Sequence, residues 1–265
     1  MRNKDLSTKK FAQEMRSLIL DASFRTKVGH IGSCLSIVDI LAVLYTQILS
    51  IKKLDDPNRD RFILSKGHAA LALYSALYLK NILSQTEFDS FHTGLSRIAV
   101  HPEYGVPGVE LATGSLGQGI GVAVGLALAN SLRKSKSKVF ALISDAELNE
   151  GSVWEAIMFC AHYKLPITVI IDCDGQQGFG YTKEVLSLEP LEEKWKTFGW
   201  SVTRVDGHNQ KKLLEAIDKP KKYPYVIIAD TILGKGVSFM ERKVDWHYMP
   251  MTPDQYTQAK KELHA

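Results

Sequence analysis

Two acidic segments hold the residue types that bind a hard cation. One is Ser144-Asp145-Ala146-Glu147-Leu148-Asn149-Glu150-Gly151, directly after the β-rich run 139–144. The other is Asp172-Cys173-Asp174-Gly175-Gln176, closing the run 167–172. Carboxylates on the ends of neighbouring parallel strands can converge on one divalent ion, which prefers oxygen ligands and can hold a diphosphate at the same time. A single Asp at such a place is more often a turn residue. The spaced pair, with glycines and a helix start close by, favours a magnesium diphosphate site.

A second constellation, Thr113-Gly114-Ser115-Leu116-Gly117-Gln118-Gly119, leads straight into the apolar segment 120–130. Glycines let the backbone approach a ligand, and the free N–H groups that open a helix favour an anion. The competing reading is helix packing through the small residues Gly119, Gly121 and Gly125. The spacing is neither G-x-G-x-x-G nor G-x-x-x-x-G-K-[ST]. Histidines form a third set, in turns marked by glycine or proline: Gly29-His30-Ile31-Gly32, Lys66-Gly67-His68-Ala69, His101-Pro102 and Trp246-His247. Imidazole transfers protons near neutral pH and donates to carbonyl or phosphate oxygens. His92, His162, His208 and His264 lack such settings and read as structural residues.

Placing these groups together takes an α/β framework. Residues 9–28 put Phe11, Met15, Leu18, Ile19 and Ala22 on one face of an amphipathic helix. A second helix is expected over 36–49, capped by Ser36, with Asp39 in its first turn where its charge suits the helix dipole. Four β-rich runs, 139–144, 167–172, 202–206 and 225–230, alternate with helical segments at 151–163, 190–198 and 209–218. That alternation predicts an α/β fold with a mostly parallel, twisted sheet and helices on both faces. Ligands in such sheets bind beyond the carboxyl ends of the strands. Asp206 and Asp230 also end strands, but read as turn residues. The stretch 93–117 is a long loop, expected to lie ordered over the sheet edge.

With 265 residues, 45% of them hydrophobic, the chain supports a full core without disulfide or metal staples, as a single domain over 1–265. The formal charge of +4 is spread over short clusters (Lys9-Lys10, Lys134/Lys136/Lys138, Lys219/Lys221/Lys222) that read as solvated faces, so no nucleic-acid partner is expected. Cys34, Cys160 and Cys173 show no metal-ligand spacing, and their odd number argues against a disulfide framework. The longest apolar stretch, 120–129, is well short of the roughly 20 residues of a membrane span. The opening MRNKDLSTKKF lacks the apolar core of a secretory signal, so a cytoplasmic location is expected.

Read together, VGHIGSCLSIVDIL (28–41), DRFILSKGHAALALY (60–74), HPE (101–103), PGVELATGSLGQGIGVAVGLAL (107–128), SDAELNEGSVWEA (144–156), IDCDGQQGFG (171–180), VDGHN (205–209) and GKGVSFMERKVDWH (234–247) carry a family resemblance. The chain resembles the N-terminal, diphosphate-binding domain of transketolases, especially the small subunit of split, two-chain transketolases. The resemblance implies a thiamine diphosphate-binding fold with Mg2+ as the metal and Ca2+ or Mn2+ as substitutes. Asp145 would ligate the metal, Asp174 would take the ligand position usually held by Asn, and the Gln176 carbonyl would add a third oxygen. Gly114 and the backbone of Ala146 would approach the cofactor, with Leu116 near its rings. His68 and His247 would contact the diphosphate, and His30 and His101 would face the substrate. Glu150 resembles the glutamate that links two active sites across a dimer and joins these four histidines in the implied catalytic set. Lys235, in Gly-Lys-Gly, is a further implied cofactor contact.

Two positions depart from the family pattern G-D-G followed by a distant Asn. Ala146 replaces the second glycine and fits only with negative φ, because a Cβ in the left-handed region costs roughly 1 kcal/mol or more. Asp174 adds a negative charge beside a diphosphate. Transketolases continue into a pyrimidine-binding domain and a third domain, which this sequence lacks. The resemblance therefore implies a separate chain carrying them, an α2β2 assembly active only when both are present, and transfer of a two-carbon ketol unit from a sugar or sugar-phosphate ketose to an aldose. Other thiamine diphosphate enzymes of the 1-deoxyxylulose-5-phosphate synthase or 2-oxoacid dehydrogenase kind are the nearest alternatives, disfavoured by the SKGH and HPE segments. A non-catalytic subunit has no need of all four histidines, and a magnesium-dependent nucleotide binder has no phosphate loop to use. Pentose phosphate metabolism and a specialised sugar pathway are both open, because the family grips the acceptor sugar's phosphate largely from other domains.

Overall fold

In a computed structural model, residues 6–218 and 223–264 are described. The basic cluster Lys219, Lys221 and Lys222, the opening Met1–Asp5, Ala265 and the His264 side chain lie outside the described residues.

The strands in chain order are β1 (Arg61–Leu64), β2 (Val139–Ser144), β3 (Ile167–Cys173), β4 (Gln176–Gln177), β5 (Gly180–Tyr181), β6 (Ser201–Asp206) and β7 (Tyr225–Asp230). Five of them form one parallel sheet in the order β1-β2-β3-β7-β6, while β4 and β5 pair as a short antiparallel hairpin. The three inner strands are almost wholly buried because helices cover both faces, which is why they read as continuous apolar runs. Their side chains still alternate: Phe140, Leu142, Ile170 and Ile227 point into one core, and Ala141, Ile143, Val169, Ile171, Val226 and Ile228 into the other.

The helices are α1 (Thr8–Thr26), α2 (Ile31–Ser36), α3 (Val38–Val43), α4 (Ala70–Leu79), α5 (Gln85–Asp89), α6 (Gln118–Leu132), α7 (Gly151–His162), α8 (Thr182–Val185), α9 (Leu191–Thr197), α10 (Gln210–Asp218) and α11 (Pro253–His264). Residues of α1 to α4, α10 and α11 fill the first core, and those of α6, α7 and α9 the second. No helix among the described residues is long and apolar enough to cross a membrane.

The single helix expected over 36–49 is replaced by α2, α3 and a wide turn at Leu44–Ile48. Ser36 is not a cap. It ends α2, and its hydroxyl donates to the Ser33 carbonyl (3.0 Å) and to Asp172 Oδ2 (2.7 Å), so a buried carboxylate across the sheet edge overrides local capping preference. Small-residue packing holds only at Gly119, where a Cβ would stand 2.7 Å from the Ser65 Cβ; Gly121 and Gly125 have nothing within reach. The long loop contains no helix or strand, yet it is tied down: Thr113 donates to the Leu64 carbonyl (2.8 Å), Tyr74 donates to the His101 carbonyl (3.0 Å), and Val106 is buried.

Candidate active site at the carboxyl edge of the sheet

Parallel register sets Ser144 beside Asp172, and the Asp145 N–H donates to the Asp172 carbonyl (3.0 Å). The two acidic segments therefore meet, as their strand-end positions predict. Asp145 accepts from the N–H groups of Ala146 (2.7 Å) and Gly175 (2.9 Å) and from the Thr182 hydroxyl (3.3 Å). Asp174 accepts from the Gln176 N–H (2.9 Å). Ala146 opens a right-handed turn over Ala146–Asn149 and is absent from the left-handed residues, so its Cβ is accommodated.

Sequence reasoning placed Asp172 in the acidic segment but missed the groups that hold it. Asp172 is fully buried and accepts from Lys66 Nζ (2.5 Å) and from the hydroxyls of Ser36 (2.7 Å) and Thr231 (2.5 Å). Lys66 is 1% exposed. Burial alone would depress its ammonium, but Asp172, then Asp174 and Asp145, hold it above its usual range. Asp145, Asp172, Asp174 and Lys66 thus set three carboxylates against one ammonium. Burial first, and Asp172 second, push the Asp145 carboxyl up to about 7, and the same causes raise Asp174 well above the ordinary carboxylate range. Such a surplus of buried negative charge fits a divalent cation at Asp145 and Asp174. Among the described residues no three His, Cys, Asp or Glu side chains are grouped to hold a metal. The remaining ligands would be the Gln176 carbonyl and oxygens of a bound diphosphate. The Gln176 side chain donates to the Arg242 carbonyl (3.1 Å) and buries an Oε1 without a partner.

The four histidines from distant turns also come together. His30 lies 5.4 Å from His68, 5.1 Å from His247 and 6.3 Å from His101 between ring centres, and His68 lies 5.2 Å from His247. His30 has φ 63°, a left-handed conformation that is strained for a residue with a Cβ, and its buried Nδ1 has no partner. Its N–H is held by the His247 carbonyl (3.0 Å). Gly114 sits against His101, where a Cβ would come within 3.0 Å of the ring, and Gly67 approaches the Thr113 carbonyl too closely for any side chain. Burial depresses His30, His68 and His247, the last to about 4; neighbouring imidazoles and Lys66 add to the effect. These three are neutral near pH 7.

Glu147 is fully buried, accepting from the Ser65 hydroxyl and the Gly117 N–H (2.7 Å), and so locks the glycine segment to the acidic one. Leu116 is half-buried, and Glu150 is exposed at the start of α7. Lys235 is not brought to the histidines. Its ammonium pairs with Glu241 (3.2 Å), and it lines a different cleft with Arg16, Asp39 and His208. His208 is structural as expected, with Nδ1 on Asp39 (3.0 Å) and Nε2 accepting from the Ile232 N–H (2.9 Å).

The family profile described as "Transketolase, thiamine diphosphate binding domain" matches residues 7–264. The chain belongs to the transketolase family. Among transketolases, it is 37% identical over 258 residues to an apulose-4-phosphate transketolase subunit of Phocaeicola vulgatus, covering 95% of this chain and 92% of that one. It is 38% identical over 259 residues to the 6-deoxy-6-sulfo-D-fructose transketolase subunit SqwG of a Clostridium species, covering 95% and 94%. The crystal structure of Campylobacter jejuni transketolase superposes with a TM-score of 0.90 at 30% identity, covering 96% of this chain but 43% of that transketolase. The α/β architecture is thus that of the thiamine diphosphate-binding domain of a transketolase, and the activity is that of a transferase.

Proposed function

We propose that this chain is one thiamine diphosphate-binding domain serving as the diphosphate-binding subunit of a two-chain transketolase. The observation that carries this reading is the linkage of the acidic segment to the histidine cluster: Lys66, two residues before His68, pairs with Asp172, and α2 joins Asp172 through Ser36 and His247 through Ser33. Asp145, Asp174 and the Gln176 carbonyl hold Mg2+, which offsets the surplus carboxylate charge. The imidazoles of His68 and His247 donate to the diphosphate, while Gly114, Leu116 and the Ala146 backbone lie against the cofactor. When bound, thiamine diphosphate supplies a carbon nucleophile and an electron sink for a two-carbon fragment.

His30 and His101 face a ketose. A neutral imidazole can take a proton from a sugar hydroxyl and return it, as reversible ketol transfer requires. Glu150, exposed at the head of α7, reaches toward a second active site in an α2β2 assembly. Lys235, implied by the resemblance as a further cofactor contact, is paired with Glu241 in another cleft.

Two relatives of nearly this length bear subunit names, which supports a separate pyrimidine-domain partner. The donor is a ketose or ketose phosphate and the acceptor an aldose. Three free cysteines, with Cys34 and Cys160 buried, suit a reducing, cytoplasmic compartment. Calorimetry of thiamine diphosphate with Mg2+, on this chain alone and mixed with its partner, tests the reading. Binding together with ketol transfer from xylulose 5-phosphate in the mixture is expected; no binding in either sample would overturn it.

A further inference from the structure

Two glycines near the histidine cluster are unexplained by their backbones. Neither Gly29 nor Gly178 has a positive φ, so a side chain would be conformationally allowed at both. What excludes a Cβ is one residue. At Gly29 it would run into the Tyr248 backbone, 2.9 Å from the carbonyl carbon, and at Gly178 it would overlap the Tyr248 hydroxyl, 3.3 Å from Cζ. Tyr248 follows the short helical turn Val244–His247. Its ring stands edge-on to His247 at 4.8 Å and lies 6.3 Å from His30. The phenol therefore spans from the histidines to the β4–β5 hairpin, whose next residue, Phe179, is 88% exposed. Tyr248 itself remains 55% exposed, beside His30 and His247.

We propose that Tyr248 is a specificity-determining residue of the ketol-transfer site, holding the β4–β5 hairpin and presenting its ring as a wall against the sugar chain. This rests on the proposed transketolase function, with His30 facing the ketose. An aromatic face offers packing to the C–H surface of a polyol, and the phenol hydroxyl is a donor and acceptor for its hydroxyls. Such a wall acts on binding and not on the bond-breaking step, so its signature is in KM.

The test uses the two-chain assembly with thiamine diphosphate and Mg2+. In Tyr248→Ala the KM for xylulose 5-phosphate rises about tenfold while kcat stays within about twofold, and Tyr248→Phe lies nearer wild type. Gly178→Ala also raises KM, because its methyl displaces the hydroxyl, and adding Tyr248→Phe to it restores KM by removing that hydroxyl. An unchanged KM in Tyr248→Ala, or no restoration in the double variant, overturns the proposal. Amide hydrogen exchange over residues 176–181 of this chain gives a readout free of activity. It speeds up about tenfold in Tyr248→Ala if the phenol holds the hairpin, and unchanged exchange overturns that hold. Wild-type assembly without ketol transfer instead sinks the proposed function, and with it the sugar contact, leaving exchange to decide the hairpin.

Discussion

Lys66 Nζ and Asp172 Oδ2 form a 2.5 Å ion pair with neither side chain more than 1% exposed, and it joins the loop after β1 to the end of β3. Breaking such a pair leaves an uncompensated buried charge, which costs far more than the pair contributes over apolar residues of the same size. Lys66→Met is expected to lower unfolding free energy by about 3–5 kcal/mol. Combining it with Asp172→Leu should recover part of the loss. Urea unfolding monitored by Trp fluorescence checks both, and equal stability of wild type and Lys66→Met would show that Asp172 is compensated by its two hydroxyl donors alone.

Asp174 shares its pocket with Asp145 and Asp172, and burial together with those neighbours disfavours its charged form. Asp174→Asn removes one of three crowded carboxylates and keeps an oxygen for the metal. The variant is expected to unfold with about 1 kcal/mol more stability, and to bind thiamine diphosphate with Mg2+ at least as tightly as wild type. Differential scanning calorimetry and a cofactor titration measure the two effects. A large loss of affinity would mean that the carboxylate charge itself is needed.

The inner strands were legible because burial on both faces demands continuous apolar runs, and 225–230 coincides with β7 to the residue. β1 was not, since a four-residue strand opening on Arg61 carries too little pattern to stand out from a loop. Asp145, Asp174 and the turn histidines were legible because chemistry at a sheet edge uses strand ends and special turns. Lys66 as the partner of Asp172 was not, because a wholly buried lysine runs against every composition rule and the two are 106 residues apart. Glu147 hides for the same reason, since only the fold shows that Ser65 and Gly117 donate to it.

Asp39 in α3 receives Arg16 Nη2 (2.5 Å), His208 Nδ1 (3.0 Å) and Gln210 Nε2 (2.8 Å). Burial alone would raise its carboxyl, but His208, Arg16 and Gln210 together hold it down at about 2. A depressed carboxyl stabilises the fold fully above its unfolded value near 4, and that contribution is lost as pH falls through about 2. The contribution is about 2 kcal/mol at neutral pH. Asp39→Asn is therefore expected to lose about that much at pH 7 and to flatten the acid limb of a stability–pH curve. Parallel acid limbs in the variant and wild type would assign the acid sensitivity elsewhere.

The buried, mutually repelling imidazoles of His30, His68 and His247 are neutral near pH 7, with His247 lowered to about 4. A diphosphate placed beside His68 and His247 reverses that balance, because an anion favours the protonated imidazole. Cofactor binding should then take up protons, and affinity should rise as pH falls from about 8 toward about 6. Calorimetric titrations in buffers of different ionisation enthalpy at one pH report the proton count directly. His68→Gln should lower the uptake, whereas His162→Gln, on the distant α7, should leave it unchanged. Zero uptake in wild type would place the diphosphate away from both histidines, and Lys66 would become the nearest cationic group to examine for its contact.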